Sequence, residues 1–232
     1  MVQLLESPTP EALAAEIDVR IRALPDRRTK PLRTLRREFS RRVAKWPAAD
    51  VLAVSLSLLD RPGMDHRFVA YELVSAHPAA RASLGERELV AFGRDLDSWE
   101  SVDTFGCYLS GPSWREGQVP DRLIHAWAQS DGRWWRRAAL VSTVPLNLKA
   151  RGGTGDTPRT LAVCALLVDD RDDMVVKAMS WALRELSRRD PDAVRAFMAL
   201  HEDHLAARVK REVRHKLETG RKNLRRKREG AE

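Results

Sequence analysis

Hydrophobic residues recur every three to four positions along most of this chain, which is the spacing of one face of an α-helix. Between residues 9 and 24 the apolar positions with this spacing are Leu13, Ile17, Ile21 and Leu24. Thr9 and Pro10 precede them as a typical N-cap and first-turn proline. The pattern predicts a helix with one buried face.

Two more segments in the first third have helical patterns. A helix opening at Thr29 has Leu32, Leu35, Phe39 and Val43 on its apolar side and a strongly basic polar face. Residues 50–59 are almost wholly apolar, and a Pro-Gly break separates them from a helix that runs through residues 68–74. We expect a hairpin of two helices there.

The helical pattern continues to residue 217, and no segment predicts a strand. The predicted helical stretches are residues 86–92, 97–109, 121–128, 132–144, 157–168, 174–187, 190–200 and 201–217. Turn-forming residues interrupt them at 110–117 and 151–156, which we interpret as loops. The chain is therefore predicted to be all-α.

Three of the helices share a weak internal likeness when they are aligned on Ala70, Ala138 and Ala178. The last two alanines lie 40 positions apart, and the first two lie 68 apart, which leaves room for a degenerate unit containing Asp103. This period is typical of a two-helix solenoid, so we expect HEAT-like repeats. The alternative is chance similarity within an irregular helical bundle.

The charge of the chain indicates a polyanionic partner. It has 232 residues, 43% of them hydrophobic, with 41 Lys and Arg against 33 Asp and Glu, a net charge of +8 and a pI near 10.0. Nucleic acid is the first candidate. The first 25 residues contain four acids, unlike a secretory signal, and no apolar run approaches a membrane span of about 18 residues. We expect a soluble cytoplasmic protein without a membrane association.

The last residues differ in composition from the rest. Residues 221–228 are almost entirely basic, which predicts an unpacked tail at 221–232 that adds sequence-independent attraction to phosphates. We therefore expect one HEAT-like domain over residues 1–220, followed by this tail. A domain boundary at either predicted loop is possible but not needed.

Metal and cofactor motifs are not evident in the sequence. His201 and His204 lie three apart, but no third ligand is arranged to join them, so a surface pair is the simpler interpretation. Cys107 and Cys164 have no metal-site spacing. We predict no metal and no organic cofactor.

The remaining chemical candidates are aromatic residues placed beside charges. Trp99 and Asp103 are four apart, so they emerge on one face of a helix. Arg137 follows two tryptophans, and Trp181 lies between Lys177 and Arg184. A carboxylate and aromatic faces suit cleavage at a sugar carbon that becomes cationic in the transition state. The alternative is a half-buried tryptophan beside a solvated aspartate.

Four segments of the chain resemble the AlkD-type DNA alkylation repair glycosylases, and the resemblance spans residues 28–220. The segments are residues 98–103, 135–140, 177–185 and 209–217. The resemblance implies an all-helical, HEAT-like solenoid whose concave basic face holds duplex DNA. It also implies excision of N3- and N7-alkylated purines without base flipping.

The resemblance assigns roles by position. The family's catalytic aspartate falls on Asp103, its two tryptophans on Trp99 and Trp181, and its arginine on Arg137. Arg137, Lys177 and Arg184 are the expected phosphate contacts. We expect a monomeric, monofunctional glycosylase, because no lysine is evidently placed as a Schiff-base nucleophile. The rival hypothesis is a non-enzymatic helical scaffold that binds nucleic acid or an acidic protein.

Overall fold

The computed structural model describes residues 8–221, and within that range every regular element is helical. The all-α prediction is confirmed. The chain forms two compact units, Met1–Val119 and Pro120–Glu232. The prediction of one domain over residues 1–220 remains a prediction, and the predicted tail lies outside the described residues except for Arg221.

The first unit contains eight α-helices in its described part. They are α1 (Pro10–Arg22), α2 (Thr29–Arg42), α3 (Ala48–Leu59), α4 (Met64–Ala76), α5 (Pro78–Ala82), α6 (Glu86–Phe92), α7 (Trp99–Phe105) and α8 (Gly111–Arg115). Helix α4 packs against α2 and α7, whereas α3 packs against α1 and α6. The helices thus form two layers. Helices α1, α3 and α6 lie in the first layer, and α2, α4 and α7 lie in the second.

The spacing of apolar residues explains which faces of α1 and α2 are buried. In α1, Leu13, Ile17 and Ile21 are fully buried, and the Thr9 hydroxyl accepts a 3.2 Å hydrogen bond from the Ala12 backbone N–H. In α2, Leu32, Leu35 and Phe39 are buried while most of the basic residues remain outside. The predicted break at residues 61–63 separates α3 from α4, so the expected hairpin is confirmed.

The loop predicted at residues 110–117 is wrong over most of its length. Gly106–Ser110 is a π-helical turn that continues α7, and Gly111–Arg115 is α8. Pro112 lies just after the π-helical turn, and the irregular hydrogen bonding there accommodates a residue without a backbone N–H. Trp114 is fully buried and fixes this segment in the core. Only the residues after Arg115 form a turn.

The second unit contains six α-helices in its described part. They are α9 (Asp121–Ala128), α10 (Arg133–Asn147), α11 (Thr157–Leu166), α12 (Asp173–Leu186), α13 (Pro191–Leu200) and α14 (Ala207–Thr219). Helices α9 and α10 pack together, as do α11 and α12, while α10, α12 and α14 form a continuous second layer. This is the arrangement of a helical-repeat fold.

The predicted helix over residues 201–217 begins later than expected. Residues 201–206 form turns, and α14 starts only at Ala207. The turn allows α13 and α14 each to pack against α12, which one continuous helix would prevent. Leu205 is 3% exposed, so the turn itself is anchored in the core.

The three alanines that suggested a repeat are all buried in second-layer helices. Ala70 lies in α4, Ala138 in α10 and Ala178 in α12, and none is more than 1% exposed. A small side chain at this position lets a neighbouring helix approach closely. The degenerate repeat that was predicted between Ala70 and Ala138 contains α6 and α7. Within residues 8–221, no helix is both long and apolar enough to cross a membrane.

Candidate active site

Helix α7 presents the predicted Trp99 and Asp103 one turn apart. Ser98 caps the helix by accepting a 3.3 Å hydrogen bond from the Ser101 backbone N–H, and the Ser101 hydroxyl lies 3.2 Å from the Ser98 backbone N–H, which donates to it. Val102 and Phe105 are buried on the core side of the helix. Trp99 is 51% exposed and Asp103 is half-buried, so the helix turns this pair outward.

Trp99 and Asp103 line one cavity of about 490 Å³ in the first unit, which we call the Asp103 cavity. Its apolar lining comes from three helices. The hydrophobic residues beside Trp99 are Leu32 of α2 and Met64 and Phe68 of α4. A cavity of this size with a few charged groups is typical of a small-molecule or cofactor site.

The charged lining of the Asp103 cavity is more acidic than basic. It consists of Asp65, Glu100 and Asp103 against Arg27 and Arg28. Arg27 Nη1 lies 3.4 Å from the Asp65 carboxylate, and Arg28 Nη2 lies 2.7 Å from Asp26. In a chain of net charge +8, this lining favours a positively charged ligand.

An ion-pair network around the buried carboxylate of Glu72, which we call the buried network, joins α2 to α4. The carboxylate of Glu72 is 3% exposed and accepts hydrogen bonds from Arg33 Nε at 2.8 Å and Arg36 Nε at 3.1 Å. Arg33 Nη2 also donates to the Tyr108 hydroxyl at 2.7 Å. Tyr108 belongs to the π-helical turn, and such turns are frequent at functional sites.

In the second unit, Arg137 is buried between α10 and α12. It is 5% exposed, and its Nη1 donates to the Met174 backbone carbonyl at 2.5 Å. This bond holds the guanidinium at the start of α12. The hydrogen bond from Lys177 and, to a smaller extent, the nearby charges of Arg208 and Arg137 hold the pKa of Asp173 below its usual value.

Lys177 and Trp181 lie one turn apart on α12. Lys177 Nζ is 2.6 Å from the Asp173 carboxylate, and both residues are partly exposed. Trp181 is half-buried. The structure thus brings Arg137 and Lys177 together around the first turn of α12, with Trp181 on the following turn.

Arg184 is buried and contacts other residues of the second unit, whereas the sequence predicts a phosphate contact for it. It is 8% exposed, its Nε donates to the Ser180 carbonyl at 3.0 Å, and its Nη2 lies 3.8 Å from Glu212 on α14. Burial lowers the pKa of this guanidinium. These contacts join α12 to α14, and phosphate binding by Arg184 stays a prediction.

The described residues 8–221 contain no cluster of three or more His, Cys, Asp or Glu side chains that could hold a metal ion. His204 Nδ1 lies 2.9 Å from an oxygen of Asp169 rather than facing a shared site with His201.

Sequence patterns indicated only that Phe68 belongs to a helix, and they assigned it no part in the site. The signal that could have found it is its spacing: Met64, Phe68 and Glu72 are four residues apart, so they form one stripe of α4. That stripe contains one charge among apolar residues, which a helix facing only core would not tolerate without partners.

Comparison with known proteins agrees with the fold and shows the family of the chain. A family model described as DNA alkylation repair enzyme matches residues 27–217. A solved structure, "Predicted DNA alkylation repair enzyme from Enterococcus faecalis", superposes with a TM-score of 0.66 over 92% of this chain and 97% of that chain at 19% identity, which indicates a shared fold. No curated protein matches this chain in sequence. Because the family model covers most of the sequence, the chain belongs to the DNA alkylation repair enzyme family.

Proposed function

We propose that this protein is a monofunctional DNA glycosylase that hydrolyses the N-glycosidic bond of N3- or N7-alkylated purines in duplex DNA, without base flipping. The observation that carries the proposal is that Trp99 and Asp103 line the same cavity. Membership of a DNA alkylation repair family supports the substrate class. The finer activity is our inference from the chemistry of these residues and from the resemblance to the AlkD-type glycosylases.

The substrate supplies its own leaving-group activation. Alkylation at N3 or N7 makes the purine cationic, so the glycosidic bond breaks with its electron pair going to the base, which departs neutral. No general acid is then needed. The deoxyribose is left as an oxocarbenium-like cation, to which water adds at the anomeric carbon, and the proton of that water is lost.

Asp103 carries the central role in this mechanism. Its carboxylate stabilises the positive charge that develops on the sugar, and it orients or deprotonates the attacking water. In this proposal Trp99 lies against the sugar of the lesion, and Trp181 contacts DNA from the second unit. Trp99 contributes about 0.5 to 2 kcal/mol as a cation–π partner once water is excluded.

Cations of the second unit hold the DNA in this proposal. Arg137, although only 5% exposed, binds the DNA backbone in this proposal, and its bond to the Met174 carbonyl limits its motion. Lys177 adds a phosphate contact when its ammonium group leaves the Asp173 carboxylate and binds a DNA phosphate instead. Arg184 contributes less, because Glu212 and Ser180 already engage it. The active species is a monomer, and no cofactor takes part.

The test is release of free base from duplexes that carry 7-methylguanine or 3-methyladenine at saturating enzyme. We expect release with the phosphodiester backbone intact. Binding to these duplexes without any release would favour the rival function of a non-enzymatic scaffold. Strand cleavage in the same reaction would contradict the monofunctional assignment.

A further inference from the structure

Phe68 is an aromatic wall of the Asp103 cavity to which the proposed mechanism gives no role. It lies on α4, half-buried, and lines the cavity together with Trp99 and Asp103. A phenylalanine that only filled the core would be fully buried, as Phe39 is on α2. The exposed part of Phe68 is therefore available to a ligand in the cavity.

Two neighbours fix the orientation of the Phe68 ring. The Arg33 guanidinium lies over the ring, with Cζ 5.6 Å from the ring centroid. Tyr108 meets it edge-on, with 6.4 Å between centroids and an angle of 77° between planes. These neighbours come from two different elements, so the ring is held on two sides while it borders the cavity.

Arg33 is itself held in place by the buried network. Glu72 accepts from Arg33 Nε, and the Tyr108 hydroxyl accepts from Arg33 Nη2. Glu72 also offsets the charge of Arg33, which would otherwise oppose a cation in the cavity. This support gives the ring a fixed position without leaving the arginine charge uncompensated.

The electrostatics of the Asp103 cavity suit a cation. Its lining has three carboxylates against two guanidinium groups, and each of these guanidinium groups has a carboxylate within ion-pair distance. Aromatic faces attract positive charge without accepting a proton. Phe68 and Trp99 thus add to the attraction that Asp103 exerts on a positively charged group in the cavity.

We propose that Phe68 is a further substrate-contacting residue, whose ring stabilises the deoxyribose of the lesion as it becomes cationic, in concert with Trp99 and Asp103. This inference rests on the proposed glycosylase activity.

The first experiment compares Phe68→Leu and Phe68→Tyr with the wild type. Leucine keeps an apolar side chain but removes the π-face, whereas tyrosine keeps the ring. We expect Phe68→Leu to slow single-turnover release of 7-methylguanine at saturating enzyme by about threefold to thirtyfold. Phe68→Tyr should stay within about twofold of the wild-type rate, since its ring retains the attraction for a cation.

Phe39→Leu is the matched control. Phe39 also has an arginine over its ring, with Arg42 Cζ 4.9 Å from the centroid, but it is fully buried and does not line the cavity. The same substitution there should lower the unfolding temperature and leave the single-turnover rate unchanged at temperatures where the variant is folded. A rate loss equal to that of Phe68→Leu would assign the effect to packing and overturn the inference.

A second measurement avoids the loss of packing altogether. Mono-, di- and trifluorophenylalanine at position 68 leave the ring shape nearly unchanged while they remove its negative face stepwise. We expect the logarithm of the release rate to fall with each fluorine. A flat series would overturn the proposed contact even if Phe68→Leu were slow.

Binding gives a readout that does not depend on turnover. A duplex with a positively charged pyrrolidine in place of the lesion sugar should bind more tightly than one with neutral tetrahydrofuran, and Phe68→Leu should reduce that preference. An unchanged preference together with an unchanged release rate would overturn the role of Phe68 and leave the proposed function standing. Absence of base release by the wild type would overturn the proposed function itself, and this inference with it.

Discussion

Glu72 accepts a 2.8 Å hydrogen bond from Arg33 Nε although the carboxylate of Glu72 is almost fully buried and Arg33 reaches the surface. Arg36, the second partner of Glu72, is also largely buried. Replacing Glu72 with Gln leaves two guanidinium groups without their counter-charge. We predict a loss of about 2–3 kcal/mol in the free energy of unfolding, below the usual cost for a deeply buried pair because Arg33 is partly solvated.

Urea denaturation measures this loss, and Glu38→Gln is its control. Glu38 pairs with Arg20 at 2.9 Å, but both side chains are more than 40% exposed. Breaking that pair should cost less than about 1 kcal/mol. Equal losses in the two variants would contradict a special role for the buried network.

The Glu72 network also illustrates what sequence alone could not predict. Glu72 is 39 positions from Arg33 and 36 from Arg36, and nothing in a periodic pattern pairs one of many arginines with one of many acids. By contrast, α6 at Glu86–Phe92 matches its prediction because its boundaries depend on neighbouring residues. Local signals determine helices, whereas partners across helices depend on packing.

The candidate site shows the same contrast between local signals and contacts that depend on packing. The spacing of Trp99 and Asp103 placed both on one face of α7, a local relationship that the structure confirms. Phe68 lines the cavity only because α4 packs on α7, and α8, which follows the π-helical turn at Gly106–Ser110, replaced most of an expected loop. Buried Trp114 stabilises that turn, and the burial of one residue depends on the whole fold.

Asp103→Asn should abolish most of the excision while it leaves folding and DNA affinity nearly unchanged, because it removes a charge but little volume. If the carboxylate contributes about 3–4 kcal/mol to the transition state, release slows by about a hundredfold to a thousandfold. Single-turnover release of 7-methylguanine is the measurement. An unchanged rate would defeat the assigned role.

Glu100→Gln is the control for Asp103→Asn. Glu100 lines the same cavity and belongs to the same helix, so this variant removes an equal charge from the same surroundings. We expect its release rate to stay within about threefold of the wild type, since it removes only a screened, longer-range interaction with the sugar cation. Equal effects of the two variants would mean that net charge, and not the position of Asp103, matters.

The stability of the first unit should fall in acid partly because of Asp18. The Asp18 carboxylate accepts hydrogen bonds from Arg22 Nε at 2.7 Å and from His66 Nε2 at 2.7 Å, and these hold the pKa of Asp18 below its usual value of 3.8. A lowered folded-state pKa stabilises the fold fully above the unfolded pKa, and this contribution is lost as pH falls toward the folded one.

Urea denaturation at several pH values below and above 3.8 tests this contribution of Asp18. Asp18→Asn should be less stable than the wild type at neutral pH, and the difference should shrink as the pH falls below 3.8. Arg22→Gln removes the hydrogen bond that lowers the pKa of Asp18 most. Its stability should therefore also approach that of the wild type at low pH, by a smaller amount than for Asp18→Asn. A difference that is constant across the pH range would contradict the linkage.

Removing residues 221–232 should weaken DNA binding without loss of chemistry. The segment 221–228 carries six Lys and Arg residues, and such charges act on phosphates of any sequence. Each lost phosphate contact should reduce the slope of log affinity against log salt by about 0.9. Binding isotherms at several salt concentrations measure this. Loss of base release at saturating enzyme would show that the tail is more than an accessory.

The charge of the lesion gives the most discriminating prediction. In the proposed mechanism the enzyme stabilises a sugar cation and supplies no acid, so the base must already be positive to leave as a neutral molecule. N7-methylguanine and N3-methyladenine meet this condition. Uracil, 8-oxoguanine and O6-methylguanine are neutral and would depart as anions unless protonated. Enzymes that excise neutral bases generally flip them and bind their edges.

We therefore expect release from duplexes with the two cationic lesions and no detectable release from the three neutral ones, in matched sequences at saturating enzyme. The acidic lining of the Asp103 cavity adds to this reason, because Asp103, Glu100 and Asp65 disfavour an anionic leaving group and favour a sugar cation. Asp103→Asn should slow the cationic substrates and should not enable the neutral ones. Comparable rates on uracil or 8-oxoguanine would overturn this mechanism even if the protein proved to be a glycosylase.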